Sequence, residues 1–256
     1  EGPGKVPAPV SFLPDPISVK LLQVRGAYTA PEFYEAELRS LEKKGMLENV
    51  GSQQYQLAQL GKDTINGIMQ SIHAALAGIQ PLPVMEMMDL ASRLKEYADA
   101  CLSAPEPPGV WSIQHSRCVD PGRGAPAMVR IEQFLTELCA FRDDAHLAAW
   151  RSYESNGHAW DILTLLWIEK EMYTEEISNK LKRRGNSMEQ TRLALVNLVK
   201  KGWVTQDQEV VQITPFGEDI RKIAEETTNR FYYTPLKNFS ESDIDQTIEL
   251  IEKFRR

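Results

Sequence analysis

The sequence predicts a mainly α-helical protein with small β-hairpin wings: tandem winged helix-turn-helix units joined by a helical middle segment. Three observations lead there. Residues 41–47 read LEKKGML and residues 198–204 read LVKKGWV, so a helix end, a glycine and an apolar pair are written twice. The likeness extends outward, since ISVKLLQVRG (17–26) matches ISNKLKRRG (177–185) and QLAQLGKD (56–63) matches QITPFGED (212–219). Between the copies, apolar residues recur at helical spacing. Self-similarity over a span of this size marks a repeated supersecondary unit.

The second copy carries the cleaner signals. Thr174, Ile177 and Leu181 predict a short helix capped by the threonine hydroxyl and closed by Gly185, whose missing Cβ permits a left-handed turn. Ser187 with Gln190 three residues on is a capping-box pattern, and Leu193, Leu195, Leu198 and Val199 give the next helix its apolar stripe as far as Lys200 and Lys201. Gly202 ends that helix. Trp203, Val204, Val211 and Ile213 then suit two short strands with TQDQE as their turn. Pro215 opens a helix where its absent N–H costs nothing, and Ile220, Ile223 and Ala224 are expected to face inward. The first copy shows the same order of parts without an obvious leading helix. The expected segments are a proline-rich arm (1–16), a degenerate winged unit (17–80), a helical middle segment (81–157) and a second winged unit (158–256).

In the middle segment, residues 64–76 and 82–102 read as helices, the latter bearing Met85, Met88, Leu90, Leu94 and Tyr97. Met85, Met87 and Met88 are expected to fill core. Residues 103–127 read as a long irregular loop, because proline and glycine interrupt regular structure. Residues 128–151 read as a long helix with Ile131, Phe134, Leu135, Leu138 and Phe141 facing a core. A small-ligand pocket is expected where Trp111, Trp150, Trp160 and Trp167 lie near His115, Arg117, Arg142, His146 and His158. Metal-ligand spacings, a nucleophile elbow and a glycine-rich phosphate loop do not occur, so no catalytic residue, metal or cofactor is expected.

The chain of 256 residues is 42% hydrophobic and 25% charged, an ordinary globular mixture with a formal charge of -7. That balance argues against a protein coated by nucleic acid over its whole surface, while leaving room for a local basic patch. It contains no apolar run of bilayer length, and EGPGKVPAPV resembles no signal peptide, so a cytoplasmic location is expected. The three cysteines, Cys101, Cys118 and Cys139, lack C-x-x-C spacing and read as buried thiols.

Charge separates the two copies. Residues 177–202 hold Lys180, Lys182, Arg183, Arg184, Arg192, Lys200 and Lys201 against Glu189, a net +6. Residues 17–45 hold Lys20, Arg25, Arg39, Lys43 and Lys44 against Glu32, Glu35, Glu37 and Glu42, a net +1. Only the second copy has the electrostatic footprint for a polyanion. Lys182, Arg183 and Arg184 are placed for phosphates, Gln190 and Arg192 for base edges.

HAWDILTLLWIEKE (158–171) and the tail from ITPFGEDIRKIAEE through SESDIDQTIELIEKF resemble the MarR-type winged-helix regulators over about 100 residues. The tail's last helix is expected to be capped by Ser240 and Asp243, with Ile244, Ile248, Ile251 and Phe254 buried. The resemblance implies a transcription regulator whose helix after the turn enters the major groove of double-stranded DNA. Carried over by position, the DNA-binding residues are Lys180, Lys182, Arg183, Arg184, Asn186, Ser187, Gln190, Thr191 and Arg192. The wing departs from the family pattern, because TQDQEV lacks the Asp-x-Arg element that reaches the minor groove. The implied partners are DNA and a small-molecule effector, with the chain acting as a monomeric pseudo-dimer or as a homodimer. Two other readings stay open: a winged-helix module that docks protein, and an enzyme centred on the histidines.

Overall fold

The computed structural model describes residues 16–255, so all but the last residue of the expected N-terminal arm lies outside the described residues. Its contacts divide the chain into two compact units that do not follow chain order. Among the described residues, unit 1 comprises 16–56 and 146–227, and unit 2 comprises 57–145 and 228–255. The contiguous segments expected from sequence therefore do not coincide with the compact units.

Unit 1 contains both copies of the repeated motif. The first opens with α1 (Val19–Arg25), where Ser18 Oγ accepts from the Leu21 N–H at 3.2 Å, and continues through α2 (Pro31–Lys43), which has Pro31 in its first turn. Strands β1 (Leu47–Gly51) and β2 (Gln54–Leu57) follow, joined by Ser52 and Gln53, both at positive φ. After α3 (Gln59–Ala77), α4 (Val84–Leu102), α5 (Trp111–Arg117) and α6 (Ala127–Arg151), the second copy is built from five pieces. They are α7 (Gly157–Glu169), β3 (Glu171–Tyr173), α8 (Thr174–Lys180), α9 (Met188–Lys200) and the wing strands β4 (Val204–Asp207) and β5 (Val210–Ile213). The strands form one antiparallel sheet in the order β3-β5-β4. α10 (Pro215–Tyr233) and α11 (Glu241–Phe254) complete the chain.

The core of unit 1 gathers Trp150, Trp160, Ile162, Leu163, Leu166, Ile177, Leu195, Leu198, Trp203 and Val211 from α6, α7, α8, α9 and the wing. Unit 2 has its own core from α4, α5, α6 and α11, centred on Leu90, Leu94, Ile113, Ile131, Phe134, Phe141 and Leu250. Asp144 fixes α5 by accepting the Ser112 and Ile113 N–H groups at 2.9 and 3.1 Å, two donors that a helix start leaves unpaired. Among the described residues no helix is long and apolar enough to cross a membrane.

Several expectations are corrected. The loop at 103–127 contains α5, because its prolines and glycines cluster at 105–109 and 121–126 and leave 110–120 free to coil. Leu193 and Leu195 cannot share a face, being two residues and roughly 200° apart on a helix. Leu195 and Leu198 take the core, while Leu193 and Val199 are exposed. The same rotation exposes Leu135 beside buried Phe134, Ile223 beside buried Ala224, and Ile248 beside buried Thr247. Met87 is core as expected, but Met85 and Met88 face outward. Of the three cysteines only Cys101 is buried.

Candidate nucleic-acid interface

The helix-turn-helix of the second copy is set by local hydrogen bonding that the sequence specifies closely. Ser187 Oγ accepts from the Gln190 N–H at 3.1 Å, and Gln190 Oε1 accepts the Ser187 N–H at 2.7 Å, completing the expected capping box of α9. Gly185 stands at φ 74, the left-handed region expected for the turn. A short 3-10 stretch, Lys182–Arg184, separates α8 from that glycine. The cap of α8 differs from expectation. Thr174 is already in the helix and its hydroxyl donates to the Glu209 carbonyl at 3.2 Å, while the Tyr173 N–H donates to the Glu176 carboxylate at 3.1 Å. The wing thus ties down the start of α8, an interaction between residues far apart in sequence.

The nine residues expected at DNA fall into two groups. Lys182 and Arg183 are exposed in the turn, with no carboxylate partner among the described residues. Lys180 is exposed and pairs with Glu169 at 2.5 Å, and Arg192 is exposed with Glu209 at 3.9 Å. Pairs this open to solvent contribute little and yield readily to a competing phosphate. The remaining five serve the fold. Arg184 donates to Asp161 at 3.0 Å and lies over the Tyr28 ring, and Asn186 donates to the Tyr28 carbonyl at 3.2 Å. Ser187 and Gln190 form the cap. Thr191 is 0% exposed, which takes it out of reach of DNA.

Thr191 has one hydroxyl proton and donates it to the Ser187 carbonyl at 3.2 Å. His158 Nε2, 3.1 Å from Thr191 Oγ1, is then the donor of that second bond, and burial holds the imidazole neutral with its pKa lowered to about 4. The first copy is seated on this same turn. The Ala30 N–H donates to the Arg184 carbonyl at 2.8 Å, the Trp150 indole N–H donates to Tyr28 Oη at 2.9 Å, and Gly185 and Gly157 face Phe33 and the Ala27 backbone with no room for a Cβ. A cleft of about 430 Å³ opens beside this seat, lined by Tyr28, Pro31, His158, Asn186, Leu193 and Asn197 among others.

The residues expected at the ligand pocket are divided between the two units. Trp150 and Trp160 are core, stacked at 5.7 Å, with Arg221 over Trp160 at 5.7 Å. His146 lies beside Tyr28, ring centroids 6.4 Å apart. Trp111, His115, Arg117 and Arg142 belong to unit 2. There the Trp111 ring lies tilted against His115 with centroids 3.9 Å apart, Arg117 binds Glu137 and Asp99, and Arg142 donates to Asn229 at 3.3 Å. Among the described residues no group of histidine, cysteine and carboxylate side chains is arranged to hold a metal.

The outward face of α9 carries Glu189, Arg192, Leu193, Val196 and Lys200, and sequence reasoning missed its apolar half. Toward the wing, Glu175, Glu176 and Glu209 surround Arg192 in a groove with Tyr173 and Met188. A family model described as a helix-turn-helix family matches residues 123–256, just over half of the chain and the span from the start of α6 to the end of α11. No curated protein and no solved structure matches.

Proposed function

Because the chain belongs to the helix-turn-helix family, we propose that it is a DNA-binding transcription regulator of MarR-like type that docks its second winged helix on double-stranded DNA. The observation that carries this reading is the Lys182 and Arg183 pair, exposed in the turn and without a carboxylate partner among the described residues. Cations at this turn are placed to neutralise phosphates flanking a groove entered by α9, and the exposed Lys200 adds a positive charge at the end of that helix. The order β3, α8, α9, wing, α10 and a Ser240-capped α11 supports the MarR-like assignment. The first copy acts as a buttress: its α1–α2 turn braces the turn that presents Lys182 and Arg183. A small-molecule effector draws no support from the residues expected to bind it, which are engaged in core packing and internal pairing.

Anisotropy of a fluorescein-labelled mixed-sequence duplex, titrated at several salt concentrations, tests the reading. Affinity should fall steeply with ionic strength, and the K182A/R183A double variant should flatten the log–log slope by about 2. No binding at low salt, or a slope indifferent to the double variant, would refute it. A second reading, docking of a protein, is favoured by one observation: Leu193 and Val196 are each 63% exposed on the outward face of α9. It predicts salt-insensitive binding of a partner that is lost on Leu193→Asp.

A further inference from the structure

We propose that α9 selects DNA through the C5-methyl groups of pyrimidines, thymine or 5-methylcytosine, with Leu193 and Val196 as the specificity-determining residues. The inference rests on the DNA-docking reading and names what that helix reads. At roughly 100° per residue, Glu189, Leu193, Val196 and Lys200 fall within about 60° of one another, opposite the core side formed by Thr191, Ala194, Leu195 and Leu198. Leu193 and Val196 stand at the centre of that face, each 63% exposed. The neighbouring side chains that could read bases by hydrogen bonding are turned to its flanks. Gln190 gives its Oε1 to the Ser187 N–H and, with Asn197, borders the cleft beside the first copy. Arg192 turns the other way, toward Glu209 and the groove beside the wing.

The middle of the face is therefore apolar, with no side-chain donor or acceptor. In the major groove the matching surface is the methyl group at C5 of thymine, set in an otherwise polar pattern of donors and acceptors. A 5-methylcytosine presents the same group at the same place. Leu193 and Val196 are separated by a rise of about 4.5 Å along the helix, against about 3.4 Å between successive base pairs, so the two side chains meet neighbouring pairs. At the first turn, Glu189 offers a carboxylate that can accept from the N4 amino group of cytosine. Charge and area together favour DNA over a protein on this face. Lys182 and Arg183 before the helix and Lys200 in its last turn are exposed, so cations bracket the apolar pair as phosphates bracket the floor of a groove. Two aliphatic side chains also fall far short of the about 800 Å² per partner that a standard protein interface buries.

The test starts from the full chain and a random duplex library at low salt, from which bound sites are selected and sequenced. Selected sites should hold neighbouring T·A pairs. Deoxyuridine in place of thymidine throughout the selected site deletes the methyls and leaves every hydrogen-bonding group of the bases in place. Affinity should fall about fourfold for each methyl in contact, the worth of one buried methylene. Conversely, 5-methylcytosine in place of cytosine throughout the site should raise affinity by a similar factor wherever a cytosine meets the face. In L193A/V196A both ratios should collapse to one, while the salt dependence set by Lys182 and Arg183 persists; the fold should be kept, because both altered side chains are exposed. A loss with deoxyuridine alone assigns the face to thymine, and a gain with 5-methylcytosine alone assigns it to methylated cytosine. Wild-type binding indifferent to both replacements, or a methyl preference that survives L193A/V196A, overturns the inference and leaves DNA docking standing. Such indifference, joined to loss of a protein partner on Leu193→Asp, gives the face to protein. Absence of binding to any duplex at low salt removes the DNA reading and this inference with it.

Discussion

Replacing Gly157 with alanine adds one methyl group at the seat of the first copy, and the structure sets the size of the effect. The new Cβ would stand 2.0 Å from the Ala27 carbonyl oxygen and 2.5 Å from its carbon, against ordinary contacts that begin at 3.4 Å. Both neighbours are backbone atoms, so no side chain can rotate aside, and the α1–α2 turn must retreat by more than 1 Å. Overpacking of this kind costs about 1–3 kcal/mol. The retreat also strains the bonds from the Ala30 N–H to the Arg184 carbonyl and from Asn186 to the Tyr28 carbonyl, each worth about 1 kcal/mol. The expected loss is about 3 kcal/mol, although alanine is the better helix former by about 0.5–1 kcal/mol. Gly202→Ala is the control. Its φ is +71 but no atom lies within 4 Å of the added Cβ, so only the left-handed backbone, about 1–2 kcal/mol, is at stake. Urea unfolding followed by tryptophan fluorescence reads the comparison directly, because Trp150, Trp160 and Trp203 share the unit 1 core. A G157A midpoint equal to that of the wild type would refute the seating of the first copy on the turn.

Three further outcomes are expected. His158 titrates near 6.5 when unfolded and is lowered to about 4 by burial when folded, so the unfolded chain binds the extra proton; stability should be full above pH 7 and fall by on the order of 2 kcal/mol as pH drops to about 5. Urea midpoints measured from pH 7.5 to pH 5 should slope accordingly and flatten in His158→Gln; equal slopes in both proteins would remove His158 as the cause. Ser187→Ala should cost about 1 kcal/mol through the lost cap of α9, measured by the same unfolding curves and contradicted by an unchanged midpoint. Ellman's reagent should modify the exposed Cys118 and Cys139 rapidly in the native protein and Cys101 only after denaturation, since burial pushes the Cys101 thiol up to about 12. Three fast thiols would contradict the unit 2 core.

The elements of the second copy were legible in sequence because their determinants are local. A capping box, a turn glycine and an apolar pair after KKG each act within a few residues, and the structure realises all three. The roles of polar residues at the turn were not legible in the same way. Asn186 and Arg184 read equally well as contacts to a ligand or to the fold, and the choice is made by Tyr28, 158 and 156 residues away along the chain. Thr191 was drawn into the expected interface by its position near the start of α9, yet its hydroxyl is shared between Ser187 and His158. The tryptophans carry a related ambiguity: aromatic rings that wall a pocket and rings that stack in a core have the same sequence signature, and here Trp150 and Trp160 stack. The compact units were hidden altogether, since they join segments separated by about a third of the chain.

On the proposed function only the second copy meets a polyanion, and an equal charge reversal in each copy tests this. K182E/R183E in the second copy and K43E/K44E in the first change the net charge equally, and all four side chains are exposed. Binding of a mixed-sequence duplex at low salt should be abolished by the first pair of changes and nearly preserved by the second. Equal losses from both pairs, or a greater loss from K43E/K44E, would contradict DNA docking through the turn of the second winged helix.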